Sequence, residues 1–288
     1  MDKCCIVLNP EARASRKLGV ASQIARLAPG AVVRLTKGPG HAADLARQAV
    51  AEGFHTVVAG GGDGTVNEVL SGIAGSNTRL GVLPLGTMNV FARELALPLE
   101  WTAAWARIAH GAERRVDLGW ANGIPFAQLA GVGFDAQALT QVNPTLKRFL
   151  GPPAYVFAGL QVLSQRLPRL NISAQGMPPM QGVWVVLGTG RYYGGPFPLF
   201  PNAKNGDGLL NVLVFRDLNL KCLLSGLLTL PFGWHPKLPE VTYFRTTRLR
   251  VAMHLEGTEI SGLELDGELR GHAPVDFHMT PRALRVAV

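Results

Sequence analysis

The stretch Thr56-Val57-Val58-Ala59-Gly60-Gly61-Gly62-Asp63-Gly64-Thr65-Val66-Asn67-Glu68 joins a β-branched run to three consecutive glycines and then to a helix that begins near Thr65. Glycine carries no Cβ, so backbone amides in such a loop can approach an anion closely. At the carboxyl end of a parallel strand, exposed amides and a helix N-terminus make a phosphate site, to which Thr65 and Asn67 add side-chain donors. The same letters also fit a plain tight βα turn, since glycine-rich loops are common. Asp63 shifts the balance. A carboxylate facing a phosphate is repelled unless a metal ion or a proton lies between them, so its presence points to magnesium-bound polyphosphate.

Outward from this loop, short apolar runs alternate with helix-like segments. Cys4 to Leu8 precedes a helical pattern over Ser15 to Ala28, Ala31 to Leu35 precedes His41 to Glu52, and Thr56 to Ala59 precedes Thr65 to Ile73. Leu80 to Pro84 reads as a fourth strand, with Asn89 to Leu95 and Trp101 to His110 as the helices that follow. This is the βαβ rhythm of a parallel sheet, and residues 1–111 read as one α/β nucleotide-binding domain. Past Arg115 the pattern changes to strand-like pieces: Val116 to Trp120, Val183 to Leu187, Leu209 to Phe215, Arg248 to Leu255 and Ala283 to Val288. Residues 112–277 therefore read as a second, β-rich domain, interrupted by a helix-like insertion over Leu146 to Leu167.

A second glycine turn, Leu83-Pro84-Leu85-Gly86-Thr87-Met88-Asn89, follows the next strand and again sets Thr and Asn where a helix starts. Two such loops from neighbouring strands can line one crevice. Two rival phosphate motifs fail. No Gly-x4-Gly-Lys-Ser/Thr occurs, and Gly131-Val-Gly133-Phe-Asp-Ala136 fits the dinucleotide pattern without the later acidic residue that holds a ribose. Ala136 to Gly206 contains no Asp or Glu, so that match reads as a structural strand-to-helix turn.

Composition bounds the answer. Of 288 residues 47% are apolar and 17% charged, which excludes a disordered chain. A net charge of +8 favours an anionic partner. Aromatic residues do not interleave with Lys or Arg in a nucleic-acid signature, so no nucleic acid is expected. The N-terminal residues lack a signal-peptide pattern, and three cysteines form neither a disulfide framework nor a zinc spacing, so a reduced cytoplasm is the expectation. The longest apolar stretch, Cys222 to Phe232, falls well short of the ~20 residues needed to cross a bilayer. The acid-free span from Ala136 to Gly206 holds Lys147, Arg148, Arg166, Arg169, Arg191 and Lys204, a composition drawn to anionic membrane at about 1 kcal/mol per basic residue.

Taken together, Asn9-Pro10, Thr36 before Gly40-His41-Ala42, the Gly61 to Glu68 loop, Gly86 to Asn89, Gly131 to Ala136, Asp207-Gly208 and Asp266-Gly267-Glu268 resemble the diacylglycerol kinase catalytic-domain family, which includes bacterial lipid kinases and sphingosine kinases. The resemblance covers essentially the whole chain, in order. It implies a phosphofructokinase-like α/β nucleotide domain, a β-sandwich lipid domain, an active site in the cleft between them, and a C-terminal segment, 278–288, that returns to the first domain. Carried over by position, Asn9, Thr36, Gly61, Gly62, Asp63, Gly64, Thr65, Val66, Asn67 and Thr87 would contact ATP. Asp207, with the carbonyls of Lys204 and Leu209, would match a structural magnesium site. Glu268, with Asp266 beside it, would match the proton acceptor. One departure is Val90, where many members carry Asp.

Both late motifs also read as turns. Asn205-Gly206-Asp207-Gly208 suits a turn before a strand, and Leu263 to Arg270 suits a two-residue hairpin with an Asp-Gly type I′ turn. The expectation is an ATP- and magnesium-dependent lipid kinase, diacylglycerol first among its substrates and sphingoid base or phosphatidylglycerol the alternatives, peripherally associated with membrane. Rival readings are an NAD kinase and a nucleotide- or lipid-binding regulator without turnover. Which of Asp266 and Glu268 is the base, and whether the chain forms a homodimer, stay open at this point.

Overall fold

The computed structural model describes residues 3–141, 162–163, 167–254 and 261–288. The chain divides into two compact units. Residues 1–118, 124–127 and 280–288 form unit 1, and residues 119–123 and 128–279 form unit 2.

Unit 1 is built on four parallel strands, β1 (Cys4–Leu8), β2 (Val32–Leu35), β3 (Thr56–Gly61) and β4 (Arg79–Pro84), in the order β2-β1-β3-β4. Strands β1 (Cys-Cys-Ile-Val-Leu) and β3 (Thr-Val-Val-Ala-Gly-Gly) are buried at every position, as near-continuous apolar runs in a sheet covered on both faces are. The helices are α1 (Arg13–Leu18), α2 (Val20–Leu27), α3 (His41–Ala51), α4 (Asp63–Ile73), α5 (Val90–Glu94) and α6 (Trp101–His110). The single helix expected over Ser15 to Ala28 is broken by Gly19, which sits in the left-handed region at φ 56. Val20 and Ile24 of α2 and Trp101, Ala104, Trp105 and Ile108 of α6 share one core cluster with Ile6, Leu8, Val58 and Leu83 of the sheet. Helices α3 and α4 pack closely. A Cβ at Gly72 would stand 2.5 Å from the Ala43 carbonyl oxygen, so glycine is required there.

The strand order reverses direction between β1 and β3: from β1 the chain steps outward to β2, then crosses back to β3 and on to β4. In open α/β sheets the crevice beyond the carboxyl ends of the strands at such a switch point is where ligands bind. Asn9 follows β1 and the run Gly60 to Gly62 closes β3, so the glycine-rich loop stands at this point.

Next come β5 (Glu113–Ala121) and β6 (Ile124–Phe126). Unit 2 then contains β7 (Leu129–Gly133), α7 (Phe134–Gln141), β8 (Leu170–Ala174), β9 (Met180–Gly182), β10 (Trp184–Gly188), the short pair β11 (Tyr192–Tyr193) and β12 (Phe197–Pro198), and β13 (Leu210–Phe215). After α8 (Leu220–Thr229) come two 3-10 turns and then β14 (Val241–Thr246), β15 (Arg248–Met253), β16 (Gly262–Leu265), β17 (Glu268–His272) and β18 (Val275–Ala287). Six strands form an antiparallel sheet ordered β14-β13-β10-β7-β16-β17. A second antiparallel set pairs β15 with β8 and with the start of β18. Helix α7 begins directly after Gly133, but β7 pairs antiparallel with both its neighbours, which is not the parallel βαβ setting of a dinucleotide loop.

The end of β18 belongs to unit 1. Val286 pairs with Leu80 of β4, Arg285 forms an ion pair with Glu113, and the Arg282 amide donates to the buried Asp117 at 2.8 Å. Most of the helix-like segment Leu146 to Leu167 lies outside the described residues.

Candidate nucleotide and phosphoryl-transfer site

Three loops converge at the carboxyl edge of the parallel sheet of unit 1. The Asn9 amide donates to the Gly60 carbonyl at 2.8 Å, the Leu85 amide to the Gly61 carbonyl at 2.9 Å, and the Ala14 amide to the Leu85 carbonyl at 3.0 Å. The backbones touch at glycine. A Cβ on Gly86 would lie 2.4 Å from the Gly62 Cα, and one on Gly61 would lie 2.3 Å from Thr65 Oγ1. A side chain at Gly86 would force the two loops apart, and one at Gly61 would displace Thr65, which is why both positions need glycine.

Helix α4 starts at Asp63, two residues earlier than the sequence suggests. Its preceding residue, Gly62, offers no side-chain cap. The first turn of a helix leaves backbone N–H groups without intrahelical partners, and with no cap they face the loop crevice carrying the positive end of the helix dipole. Asp63 is half-buried at the first helical position, and its Oδ1 accepts from the Phe91 amide at 3.1 Å, tying α4 to α5. Thr65 is buried and its Oγ1 accepts from Asn9 Nδ2 at 3.3 Å. Asn67 is 4% exposed, and its Oδ1 has no hydrogen-bond partner among the described residues. A buried carboxamide oxygen without a donor among the described residues, beside an uncapped helix start, suits a polar ligand that can donate to it. Val66 differs: its side chain is core and its amide is held by the Gly62 carbonyl.

The remaining nucleotide candidates stand at the same edge. Thr36, just past β2, donates its amide to the Leu8 carbonyl at 2.9 Å, and Thr87 is exposed on the second loop. Asn89 is a clamp. In the left-handed region at φ 49, it accepts from the Gly86 amide at 3.0 Å and donates to the Pro84 and Gly86 carbonyls. Val90 is buried at the start of α5, so the position where many family members carry Asp is apolar core in this chain.

Two residues here were not singled out for the roles they hold. Glu68 spans both amides at the start of α3, accepting from Gly40 at 2.8 Å and Ala42 at 3.0 Å, and so locks α4 to α3. Ser15, in α1, is buried with Oγ unpartnered among the described residues. A serine amid basic residues reads as solvent-facing; only the tertiary packing reveals it.

In unit 2 the late motifs are hairpin and turn. Asp266 and Gly267 both have positive φ, 48 and 89, as a type I′ turn requires. Asp266 Oδ1 accepts from the Gln128 and Leu129 amides at 3.0 and 2.8 Å, and its own amide donates to the Leu129 carbonyl. The Gly267 amide donates to the buried Glu264. Glu268 is partly exposed on the returning strand, ion-paired with Arg270. Behind the hairpin, desolvation pushes the Glu264 carboxyl well above its ordinary value, with the carboxyl of Asp135 adding to the rise. Burial likewise raises Asp135, to about 6, against the lowering influence of Trp184 and Tyr193.

At the other motif, Asp207 Oδ1 accepts from the Leu209 amide at 3.1 Å, Oδ2 pairs with Arg245 at 3.0 Å, and the Asp207 amide donates to the Lys204 carbonyl at 3.3 Å. A guanidinium thus supplies the counter-charge to the carboxylate assigned to a structural magnesium. Among the described residues no three His, Cys, Asp or Glu side chains gather as a metal cage. Magnesium held by one carboxylate and substrate phosphates needs none, and Asp63 beside the uncapped start of α4 fits that mode.

The comparisons agree along the length of the chain. Residues 3–121 match the diacylglycerol kinase catalytic domain, and residues 128–288 match the YegS C-terminal NAD kinase beta sandwich-like domain. A Pseudomonas aeruginosa protein named "Probable lipid kinase YegS-like" is 35% identical over 99% of this chain and 94% of its own. The diacylglycerol kinase of Bacillus subtilis is 32% identical over 86% of this chain and 82% of its own. Two crystal structures from Bacillus anthracis str. Sterne share the fold, with TM-scores of 0.82 and 0.73 at 22% and 21% identity; they cover 99% of this chain and 95% and 96% of theirs. With its glycine loops at the sheet's switch point, a β-rich second unit and relatives matched over nearly its full length, the chain belongs to the diacylglycerol kinase family and is a lipid kinase.

Proposed function

We propose that this lipid kinase transfers the γ-phosphoryl group of ATP to the hydroxyl of a lipid, with diacylglycerol as the first substrate. The observation that carries the reading is the contact of Gly62 with Gly86 beside the uncapped start of α4, at the switch point of a parallel sheet. The amides of Gly61, Gly62 and Gly64 would hold the polyphosphate, with the dipole of α4 directed at its charge. Asn67 and Thr65 would orient it by side-chain hydrogen bonds. Magnesium, when bound with the nucleotide, supplies charge neutralisation between the phosphates and Asp63.

The lipid oxygen forms the new bond to the γ-phosphorus as the bond to the bridging oxygen of ADP breaks, and the hydroxyl proton passes to a carboxylate. Glu268 suits that role better than Asp266, whose Oδ1 is engaged by two amides that fix the hairpin. The test is to incubate the purified protein with γ-labelled ATP, magnesium and a total lipid extract. Label should move to a phosphorylated lipid, and to phosphatidic acid when diacylglycerol is supplied. Label appearing only in NADP when NAD is added, or ATP bound with no transfer, would replace this reading by a soluble-substrate kinase or a regulator.

A further inference from the structure

Helix α8 and the two turns after it carry an apolar surface that stands exposed among the described residues. Leu220, Leu224, Leu227 and Leu228 are exposed by 53%, 48%, 37% and 74%, and Phe232 and Trp234, stacked 5.2 Å apart, by 66% and 58%. Half of the large exposed apolar side chains among the described residues therefore fall within fifteen consecutive positions. The four leucines lie on one stripe, at i, i+4, i+7 and i+8. The helix is not a loosely attached element. Asn219 caps it through the Cys222 amide at 2.8 Å, Cys222 is buried in the cluster of Leu213, Phe215 and Val241, and Leu223 packs toward Phe134 and Val162. One face of α8 is thus committed to the core and the opposite face is presented outward.

We infer that this outward face is the surface by which the enzyme docks on an anionic lipid bilayer, lying in the interface with the leucines, Phe232 and Trp234 inserted among the acyl chains and headgroups. The inference rests on the lipid-kinase assignment, because an enzyme whose substrate resides in a bilayer must meet it there. Three observations favour membrane over another protein surface. Residues 218–239 contain no Asp or Glu, while Lys221, beside the leucine stripe, and Lys237, after Trp234, are both exposed. Lysines bordering an apolar face reach phosphate headgroups by their long stems. Trp settles at the membrane–water boundary, and Trp, Phe and Leu make up the apolar face of helices that lie in the interface. The helix is also far too short to span, in keeping with the absence, among the described residues, of any helix long and apolar enough to cross a membrane.

This places the contact outside the acid-free span of Ala136 to Gly206 suggested by composition. Of that span's cations, Lys147, Arg148 and Arg166 lie outside the described residues and Arg169 is paired with Asp217 at 2.9 Å.

The test uses the full chain with Leu228→Asp/Phe232→Asp, two changes at exposed positions that leave the core intact. Partition onto phosphatidylcholine vesicles containing phosphatidylglycerol should fall at least ~10-fold, and phosphorylation of vesicle-borne diacylglycerol should fall with it. Phosphorylation of a short-chain, water-dispersed diacylglycerol should be unchanged, which separates loss of docking from loss of catalysis. Lys221→Glu should weaken binding only to the anionic vesicles and only at low salt. Unchanged partition of the double variant would overturn the inference. So would a wild type that is dimeric and a variant that is monomeric with equal vesicle binding, which would make this face an interface between copies. If no lipid of any kind is phosphorylated yet the variant still loses vesicle binding, the docking surface stands and the catalytic reading falls.

Discussion

Two of the three Asp-Gly steps in this chain, at Asp63 and Asp266, read alike and are built in opposite ways. Asp63-Gly64 opens a helix whose preceding residue brings no cap, flanked by a buried carboxamide whose oxygen has no partner among the described residues and by a second glycine loop in backbone contact. Asp266-Gly267 closes a hairpin in which the carboxylate takes two amides and the turn amide is taken by Glu264. The first arrangement has hydrogen-bonding capacity to offer a ligand, and the second spends its capacity on the fold. The lesson is that a turn dipeptide predicts backbone shape, whereas its chemistry depends on which distant groups answer its amides.

Substitution should break this contrast in different currencies. Asp63→Asn should lower kcat by at least ~100-fold while moving the melting temperature little, because it keeps an acceptor for the Phe91 amide and removes the charge. Steady-state kinetics beside a thermal melt checks both halves, and near-normal turnover would remove Asp63 from the chemistry. Asp266→Ala should do the reverse, costing about 2–3 kcal/mol of stability through loss of two charge-assisted bonds to Gln128 and Leu129, as read by denaturant unfolding. Glu68→Ala should cost about 1.5–2 kcal/mol by unlocking the start of α3 from α4, with catalysis on the surviving folded protein largely retained.

The smallest effect concerns the buried carboxyls behind the hairpin. The folded-state value of Asp135, about 6, lies above the ordinary value of 3.8, so the folded chain keeps a proton that the unfolded chain has released. Its contribution to stability is full below the unfolded value and is lost as pH rises through the folded one. Asp135→Asn should therefore gain on the wild type by about 3 °C between pH 4.5 and 7.5, and parallel melting temperatures across that range would contradict the assignment.

The parallel sheet was legible because its evidence is local. The runs Cys4 to Leu8, Thr56 to Ala59 and Leu80 to Pro84 are strands within two residues of where the pattern puts them, and glycines follow β3 and β4 where backbones meet. The Asp-Gly hairpin was legible for the same reason. Helix α8 was not. Its outward leucines recur at helical spacing, but Cys222 and Leu223 make the inward side apolar as well, so no polar face marks the stretch as a surface helix, and Asn219 as its cap becomes meaningful only once the helix is known. Strand β18 was half seen, because Pro281 and the basic residues around it interrupt an alternation that runs on for 13 residues. Long-range roles such as Glu68 on α3 or Asp266 on β7 leave no trace in spacing, since their partners lie 26 to 138 residues away.

Hydrogen–deuterium exchange with and without magnesium and a non-hydrolysable ATP analogue tests the central contrast most directly. The account predicts that saturating nucleotide slows exchange across residues 60–67 and 85–90, and that Asp63→Asn reduces the effect while the amides of Asp266 and Gly267 keep the protection they already have. Protection gained at Asp266 and Gly267 with none at Gly62 to Thr65 would show that the open loop is only a turn and that the hairpin is the nucleotide site.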